Sequence, residues 1–194
     1  MNKRIIGVGV AAIAVAALAL GATGCAAEKK LSIAFVMGAE SDPFFQAMKV
    51  GAEEEAAALG VDLIWQGDPT NYNVATQVPI VDNVIAQAPD GLVLIPTDPN
   101  GLQASLDKAV AAGIAVANVD TRVSDLSQVV TFITGDNTDG GTKAAEAIAA
   151  KIGYTDGESY EVVVGLTSAT ATTNVARLEG FEAALKANYP GIKV

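Results

Sequence analysis

From residue 31 onward, the sequence alternates between short apolar runs and longer segments with helical spacing. The apolar runs predict strands at residues 31–37, 61–65, 91–95, 114–119, 129–134 and 160–166. Helices are predicted to begin at Pro43 and near Thr76, and to occupy residues 99–112, 138–152 and 175–188. Strands and helices that alternate through short connections favour an α/β fold with a doubly wound parallel sheet and right-handed crossovers.

The first strand–helix connection carries two adjacent aromatic residues. The apolar run from Leu31 ends at Gly38, and Asp42 stands before Pro43, as expected where a helix begins. Phe44 and Phe45 follow directly. Ligands of open α/β sheets bind outside the carboxyl ends of the strands. The pair therefore either faces a ligand or anchors the helix in the core, and both interpretations stay open.

Polar side chains follow the other strands at the same predicted edge of the sheet. Asp120 and Arg122 come after the fourth strand, Asn137 after the fifth, and Arg177 a turn beyond the polar run that follows the sixth. Carboxylates and amides accept hydrogen bonds from vicinal hydroxyls, Arg donates to them, and an aromatic face covers the apolar side of a sugar ring. The set predicts a site for a neutral, polyhydroxylated ligand.

Each of these residues also has a purely structural interpretation. Asp42 is as well placed to cap the first helix as to contact a ligand, and Asn137 lies where the next long helix begins. Asp120 could simply end a strand, and Arg177 could be a solvated surface residue. Only their convergence on one edge favours a binding site.

The N-terminus predicts export. Lys3 and Arg4 precede an apolar stretch at residues 5–20, and small residues lead to Cys25, the single cysteine. The residues around Cys25 resemble a bacterial lipoprotein cleavage site, so residues 1–24 are predicted to be a signal peptide and Cys25 the lipidated residue. Residues 25–30 would be a tether that leaves the protein extracytoplasmic, in the cell envelope, and membrane-anchored through the lipid. Simple secretion with a free thiol is the alternative.

Composition excludes several classes of function. The formal net charge is −10, which does not suit nucleic-acid binding through phosphate contacts. The chain has no histidine, the commonest general base and metal ligand. A Rossmann-like sugar-modifying enzyme is an alternative, but no G-x-G-x-x-G follows the first strand. We expect a non-enzyme with no cofactor and no metal.

Five segments, at residues 41–60, 90–102, 112–122, 133–141 and 174–185, resemble the periplasmic sugar-binding proteins of the ribose-binding type, which are solute-binding components of ABC importers. The resemblance implies a type I periplasmic binding protein fold, in which two hinged lobes close on one sugar. It also implies which residues contact the ligand. These are Asp42, Phe44, Phe45, Asp120 and Arg177.

The resemblance also predicts how the chain is divided. Residues 31–135 would form an N-terminal lobe without its C-terminal return elements, and residues 136–194 part of a C-terminal lobe, so we expect a fragment. Ribose binders carry asparagine at the position of Asp42, asparagine at Ile95 and arginine at Thr121. These departures leave the identity of the sugar open.

The sequence thus predicts a monomeric, lipid-anchored protein that binds a sugar or polyol and delivers it to an ABC permease. A second interpretation is a receptor for a sugar-like signal that feeds chemotaxis or a sensor kinase.

Overall fold

The computed structural model describes residues 30–194. The predicted signal peptide, Cys25 and the tether up to residue 29 lie outside the described residues. None of the helices in the described part of the chain is long and apolar enough to cross a membrane.

Five parallel strands form the main sheet, in the order β2-β1-β3-β4-β5. Their bounds are Ser32–Ala39 for β1, Asp62–Asp68 for β2, Gly91–Leu94 for β3, Ala115–Val119 for β4 and Thr131–Ile133 for β5. The chain runs outward from β1 to β2 and then returns past β1 to β3, so the winding direction changes between β1 and β3. This arrangement confirms the predicted α/β fold with a doubly wound parallel sheet.

Helices cover both faces of the main sheet. They are α1 (Pro43–Leu59), α2 (Val74–Ala86) and α3 (Gln103–Ala111). Side chains alternate along β1 as the strand pleat requires. Ala34 and Val36 belong to the core cluster that contains the buried residues of α2 and α3. Met37 belongs to a second cluster, with Phe45 of α1 and partly buried Phe35. The continuous apolar run of β1 is therefore explained by burial on both faces.

A second, smaller unit follows the main sheet, and we call it the helical unit. It consists of α4 (Asn137–Ile152), β6 (Tyr160–Glu161), α5 (Thr172–Asn188) and β7 (Ile192–Lys193). β6 and β7 are parallel and pair only with each other. Small alanines, together with Leu185 and Ile192, form its buried core.

Several predicted element boundaries differ from the structure, and three of the differences have a clear physical reason. The sixth strand was expected over residues 160–166 but ends at Glu161, because β7 supplies only two residues for it to pair with. α3 begins at Gln103 and not at Pro99, since the Asp98 carboxylate accepts hydrogen bonds from two following backbone N–H groups and holds a turn there. α2 begins at Val74, before Thr76, because the Asn73 side chain caps it.

α4 and α5 cross at two glycines. A Cβ atom on Gly141 would overlap the Arg177 carbonyl oxygen, and a Cβ on Gly180 would overlap the Thr138 carbonyl oxygen. The backbones of the two helices are therefore in direct contact. The contact fixes the position of the α5 backbone at Arg177 relative to α4.

Gly141→Ala tests this crossing. The added methyl group has no room, so we expect the free energy of unfolding to fall by about 1–3 kcal/mol, measured by urea denaturation followed by circular dichroism. Gly140→Ala is the matched control in the same helix. A Cβ at Gly140 meets nothing within 4 Å, so alanine should stabilise the helix by up to about 1 kcal/mol. Equal effects of the two substitutions would contradict the proposed crossing.

Candidate functional site

A cleft of about 980 Å³ lies between the carboxyl ends of the main-sheet strands and the helical unit. On the sheet side it is lined by the loops after β1, β2 and β4, and on the other side by α4, α5 and the segment between β6 and α5. The sheet-side residues are Ala39, Ser41, Asp42, Pro43, Phe44, Phe45, Thr70, Tyr72 and Asp120. Thr173, Asn174 and Arg177 are among the polar residues opposite.

Asp42 does both things that the sequence left open. One carboxylate oxygen accepts a hydrogen bond from the Phe44 backbone N–H at 2.9 Å and caps α1. The same residue lines the cleft. Because this cap engages Oδ1 only, Oδ2 remains available to a second donor.

The two adjacent phenylalanines have different environments. Phe45 is 3% exposed and belongs to a core cluster, whereas Phe44 is 47% exposed at the mouth of the cleft. Their rings meet edge to face, with centroids 5.4 Å apart. Both line the cleft. Phe45 is therefore a core residue that also reaches the cleft, while Phe44 presents its ring to solvent.

Tyr72 is a cleft residue that the sequence analysis missed. It follows β2, whose carboxyl end carries none of the predicted site residues, although β2 lies beside β1 in the sheet. The Tyr72 ring stacks on the Phe45 ring, with 5° between planes and 6.3 Å between centroids. The rule that drew attention to the other strand ends would have found it, because every carboxyl end in a parallel sheet meets the same edge.

Asp120 has a left-handed backbone conformation, with φ at 62°. That conformation is uncommon for a residue with a side chain, although Asp and Asn adopt it more readily than most. Its own N–H donates to the Ile133 carbonyl at 2.8 Å, which ties the bend to β5. The turn aims the side chain of Asp120 into the cleft.

A buried amide holds this turn in place. Asn118 is 0% exposed, and its Nδ2 donates to the Leu94 and Thr121 carbonyls at 3.1 and 2.9 Å. Its Oδ1 accepts from the Val123 N–H at 3.0 Å. The side chain therefore spans the turn on both sides of Asp120. Gln77 makes a similar clamp at the end of β3, where it donates to the Ile95 carbonyl and accepts from the Thr97 N–H.

The charge of Asp120 is set by two opposing effects. Burial raises the pKa of its carboxyl group, while the Arg177 guanidinium and the Thr121 backbone N–H partly offset that rise. Arg177 is exposed on α5 and lines the cleft. It forms no ion pair with a carboxylate among residues 30–194. Its donors are therefore available to a ligand.

Arg122 and Asn137 lie outside the lining of the cleft. The Arg122 side chain is exposed, and its backbone N–H donates to the Thr172 hydroxyl at 2.9 Å. Asn137 is 9% exposed, and its amide donates to the Thr134 hydroxyl and the Gly135 carbonyl at 3.2 and 3.0 Å. The structure therefore brings together five of the seven predicted ligand-binding residues.

Hydroxyl groups join the helical unit to the main sheet beside the cleft. The hydroxyls of Thr121 and Thr173 are both buried and lie 3.2 Å apart. A hydrogen bond from the Thr170 hydroxyl is the largest of the effects that lower the pKa of Asp98. Residues 30–194 contain no cluster of His, Cys, Asp or Glu that could hold a metal ion.

The family whose model matches this chain is described as a periplasmic binding protein domain, and the match covers residues 33–194. The ribose import binding protein of Escherichia coli strain K12 is 34% identical over 175 residues, which are 90% of this chain and 57% of that protein. The chain thus spans about half the length of the curated relatives it matches.

Two solved structures have the same architecture. An ABC transporter solute-binding protein from Agrobacterium vitis, bound with α-D-tagatopyranose, gives a TM-score of 0.74 at 37% identity, covering 85% of this chain and 56% of that one. A carbohydrate transporter solute-binding protein from Agrobacterium radiobacter, in complex with D-arabinose, gives a TM-score of 0.77 at 27% identity. The match covers 86% of this chain and 56% of that one.

Substitution of the two phenylalanines should separate core packing from cleft lining. Phe45→Ala removes a buried ring and should lower the free energy of unfolding by about 3–5 kcal/mol. Phe44→Ala removes a half-exposed ring and should cost about 1 kcal/mol or less. Urea denaturation of both variants measures the difference, and similar losses would contradict the two environments described.

Asp120→Asn should stabilise the protein at neutral pH. Burial raises the pKa of Asp120 in the folded state above its ordinary value of 3.8, which the unfolded chain keeps. At a pH between these two pKa values, the carboxyl group is protonated in the folded protein and ionised in the unfolded chain. The carboxylate thus costs stability as pH rises through the interval between those two pKa values, and the cost is complete above it. Asparagine also tolerates the left-handed turn. The melting temperature should rise at neutral pH, and the gain should vanish below the unfolded pKa.

Asp125→Asn is the control, for which we expect a change in melting temperature of the opposite sign. The Ser127 N–H, 2.8 Å from the Asp125 carboxylate, lowers the pKa of Asp125. Its ionised form therefore stabilises the folded state above the unfolded pKa, and the substitution should lower the melting temperature at neutral pH. A fall in the melting temperature of Asp120→Asn as well would show that the buried Asp120 carboxylate does not destabilise the folded protein.

Proposed function

The chain belongs to the periplasmic binding protein family, and on that premise we propose that it binds a sugar or sugar-like polyol in the cleft and delivers it to an ABC permease. One observation carries the proposal. An exposed aromatic face, two carboxylates and a guanidinium with no ion pair among residues 30–194 line the same cleft, at Phe44, Asp42, Asp120 and Arg177.

These groups match the chemistry of a sugar. The Oδ2 atom of Asp42 and the carboxylate of Asp120 accept hydrogen bonds from hydroxyl groups, and the Arg177 guanidinium donates to hydroxyl oxygens. The Phe44 ring covers the C–H face of a pyranose or furanose. Phe45 supports that ring from the core. Hydrogen bonds fix the orientation of the sugar, and the aromatic contact excludes water from one side.

We further propose that residues 31–135 and 136–194 belong to two lobes and that the ligand binds between them. The cleft supports this division, since one wall comes from the main sheet and the other from the helical unit. The contacts from Thr172 and Thr173 to the loop after β4 hold the two walls together. A hinged closure would move these walls relative to each other.

The site of action is proposed to be extracytoplasmic. The predicted signal peptide and the lipid on Cys25 would hold a monomer at the membrane, where the permease takes up the ligand. Since the formal net charge is −10, an anionic membrane surface would repel the protein, so attachment would depend on the lipid.

Calorimetric titration tests the proposal on the protein at the full length that its gene encodes. The ligand panel consists of D-ribose, D-arabinose, D-tagatose, other pentoses and hexoses, and polyols. At least one neutral member should bind with a measurable heat. Absence of heat from every member would contradict sugar binding.

Arg177→Met tests the site itself. Loss of a charge-assisted hydrogen bond should weaken binding of the sugar by about 10- to 100-fold. Lys186→Met is the matched control, because Lys186 is an exposed cation at the other end of the same helix. It should bind the sugar as the unsubstituted protein does. Equal losses would show that net charge, and not Arg177 in the cleft, governs affinity.

A further inference from the structure

We propose that Tyr72 is a specificity-determining residue whose hydroxyl group contacts one hydroxyl of the bound sugar. This inference rests on the proposed function and adds a residue to its site. Neither the order of motifs in the sequence nor the family resemblance pointed to Tyr72. Its place in the fold does, because it lines the cleft beside Asp42 and Asp120.

The Tyr72 ring lies in a slot formed by a glycine. A Cβ atom on Gly38, near the end of β1, would overlap the Tyr72 ring, and it would lie 3.0 Å from the Thr97 methyl group. The ring also stacks in parallel on Phe45. It is thus held against β1 and against a core side chain. Its position at the cleft does not require a ligand to arrange it.

The Tyr72 hydroxyl oxygen accepts a hydrogen bond from the Thr121 side chain, but the protein gives the Tyr72 O–H a poor acceptor. Its hydrogen bond to the Pro96 carbonyl is 3.5 Å long, whereas hydroxyl–oxygen hydrogen bonds usually measure about 2.7–2.8 Å. A buried tyrosine hydroxyl normally finds a partner. The geometry therefore leaves this group able to form a shorter bond with a molecule in the cleft.

The surroundings of the hydroxyl keep it neutral. Burial is the largest cause that raises the pKa of Tyr72, and the charges of Asp120 and Asp42 raise it further. A hydrogen bond from the Thr121 side chain and the charge of Arg177 act in the opposite direction. A neutral hydroxyl both donates and accepts a hydrogen bond. The cleft thus offers a sugar two groups that accept, one that donates, and Tyr72, which does both.

A rigid group of this kind discriminates between stereoisomers. A sugar hydroxyl that points at Tyr72 gains a hydrogen bond. An epimer with that hydroxyl inverted, or a deoxy sugar without it, leaves the Tyr72 O–H with only its long bond to the Pro96 carbonyl as a donor. Sites built to bond a substrate hydroxyl reject analogues that lack it, because a buried polar group is then left unpaired.

Tyr72→Phe tests the inference, because it removes the hydroxyl and keeps the ring in its slot. Calorimetry on the full-length protein would use the best sugar of the panel together with its epimers and monodeoxy derivatives. We expect affinity for the best sugar to fall by about 3- to 10-fold. For one deoxy derivative, the one without the contacted hydroxyl, the affinity should not change. The protein substitution and the deoxy sugar are then the two changes of a double-mutant cycle, and their effects on affinity are not additive because both remove the same hydrogen bond.

Tyr160→Phe is the matched control. The Tyr160 hydroxyl bonds to Glu158 at 2.8 Å in the helical unit and does not line the cleft, so its loss should leave affinity and selectivity unchanged. A second measurement is the ultraviolet difference spectrum on adding sugar, which should lose its tyrosine signal in Tyr72→Phe only. Thermal melting confirms that both variants are folded.

The outcomes separate this inference from the proposed function. If Tyr72→Phe keeps the unsubstituted affinity and selectivity while Arg177→Met loses binding, sugar binding stands and the role of Tyr72 is overturned. If affinity falls equally for the best sugar and for every deoxy derivative, Tyr72 only shapes the cleft, and the inference is also overturned. If the unsubstituted protein binds no member of the panel, the proposed function falls and this inference with it.

Discussion

The cleft depends on one buried amide. Where β4 ends, the chain must turn sharply, and its backbone groups lose their partners in the sheet. Asn118 supplies those partners by donating to the Leu94 and Thr121 carbonyls and accepting from the Val123 N–H. An apolar side chain of the same size would leave them unpaired in a water-free interior, at a cost of about 1–3 kcal/mol for each group. With the amide in place, Asp120 is held in a left-handed turn at the edge of the cleft.

The opposite wall depends on close contact between backbones. Gly141 and Gly180 let α4 and α5 approach until the Arg177 carbonyl meets α4. Side-chain hydroxyls then join α5 to the loop after β4, through Thr172 and Thr173. Arg177 and Asp120 thereby face one space although they are far apart in sequence. Each wall is thus built by its own packing, and hydroxyl contacts from α5 join the two walls beside the cleft.

Much of this organisation could be predicted from the sequence. Apolar runs and turn residues identified the five strands of the main sheet, and in β1 and β3 burial on both faces explains the continuous hydrophobicity. Asp42 and Phe44 were found because they follow a strand at the edge where ligands bind. The length of β6 was not predictable, since a strand extends only as far as a partner pairs with it. Arg122 and Asn137 follow strands too, yet local hydrogen bonds occupy the Asn137 side chain at the start of α4, and the exposed Arg122 side chain lies outside the cleft lining.

The sequence by itself determined the fold class, the edge of the sheet where polar residues gather, and the chemical character of that edge. These follow from periodicity and residue type, which are local properties of the chain. Only the tertiary structure decided which residues share the cleft. Tyr72 reaches it because β2 lies beside β1 and because Gly38 has no side chain to occupy the space of the ring. The position of Tyr72 after a strand is visible in the sequence, but its proximity to Phe45, Asp42 and Asp120 is set by strand order and by packing between distant segments.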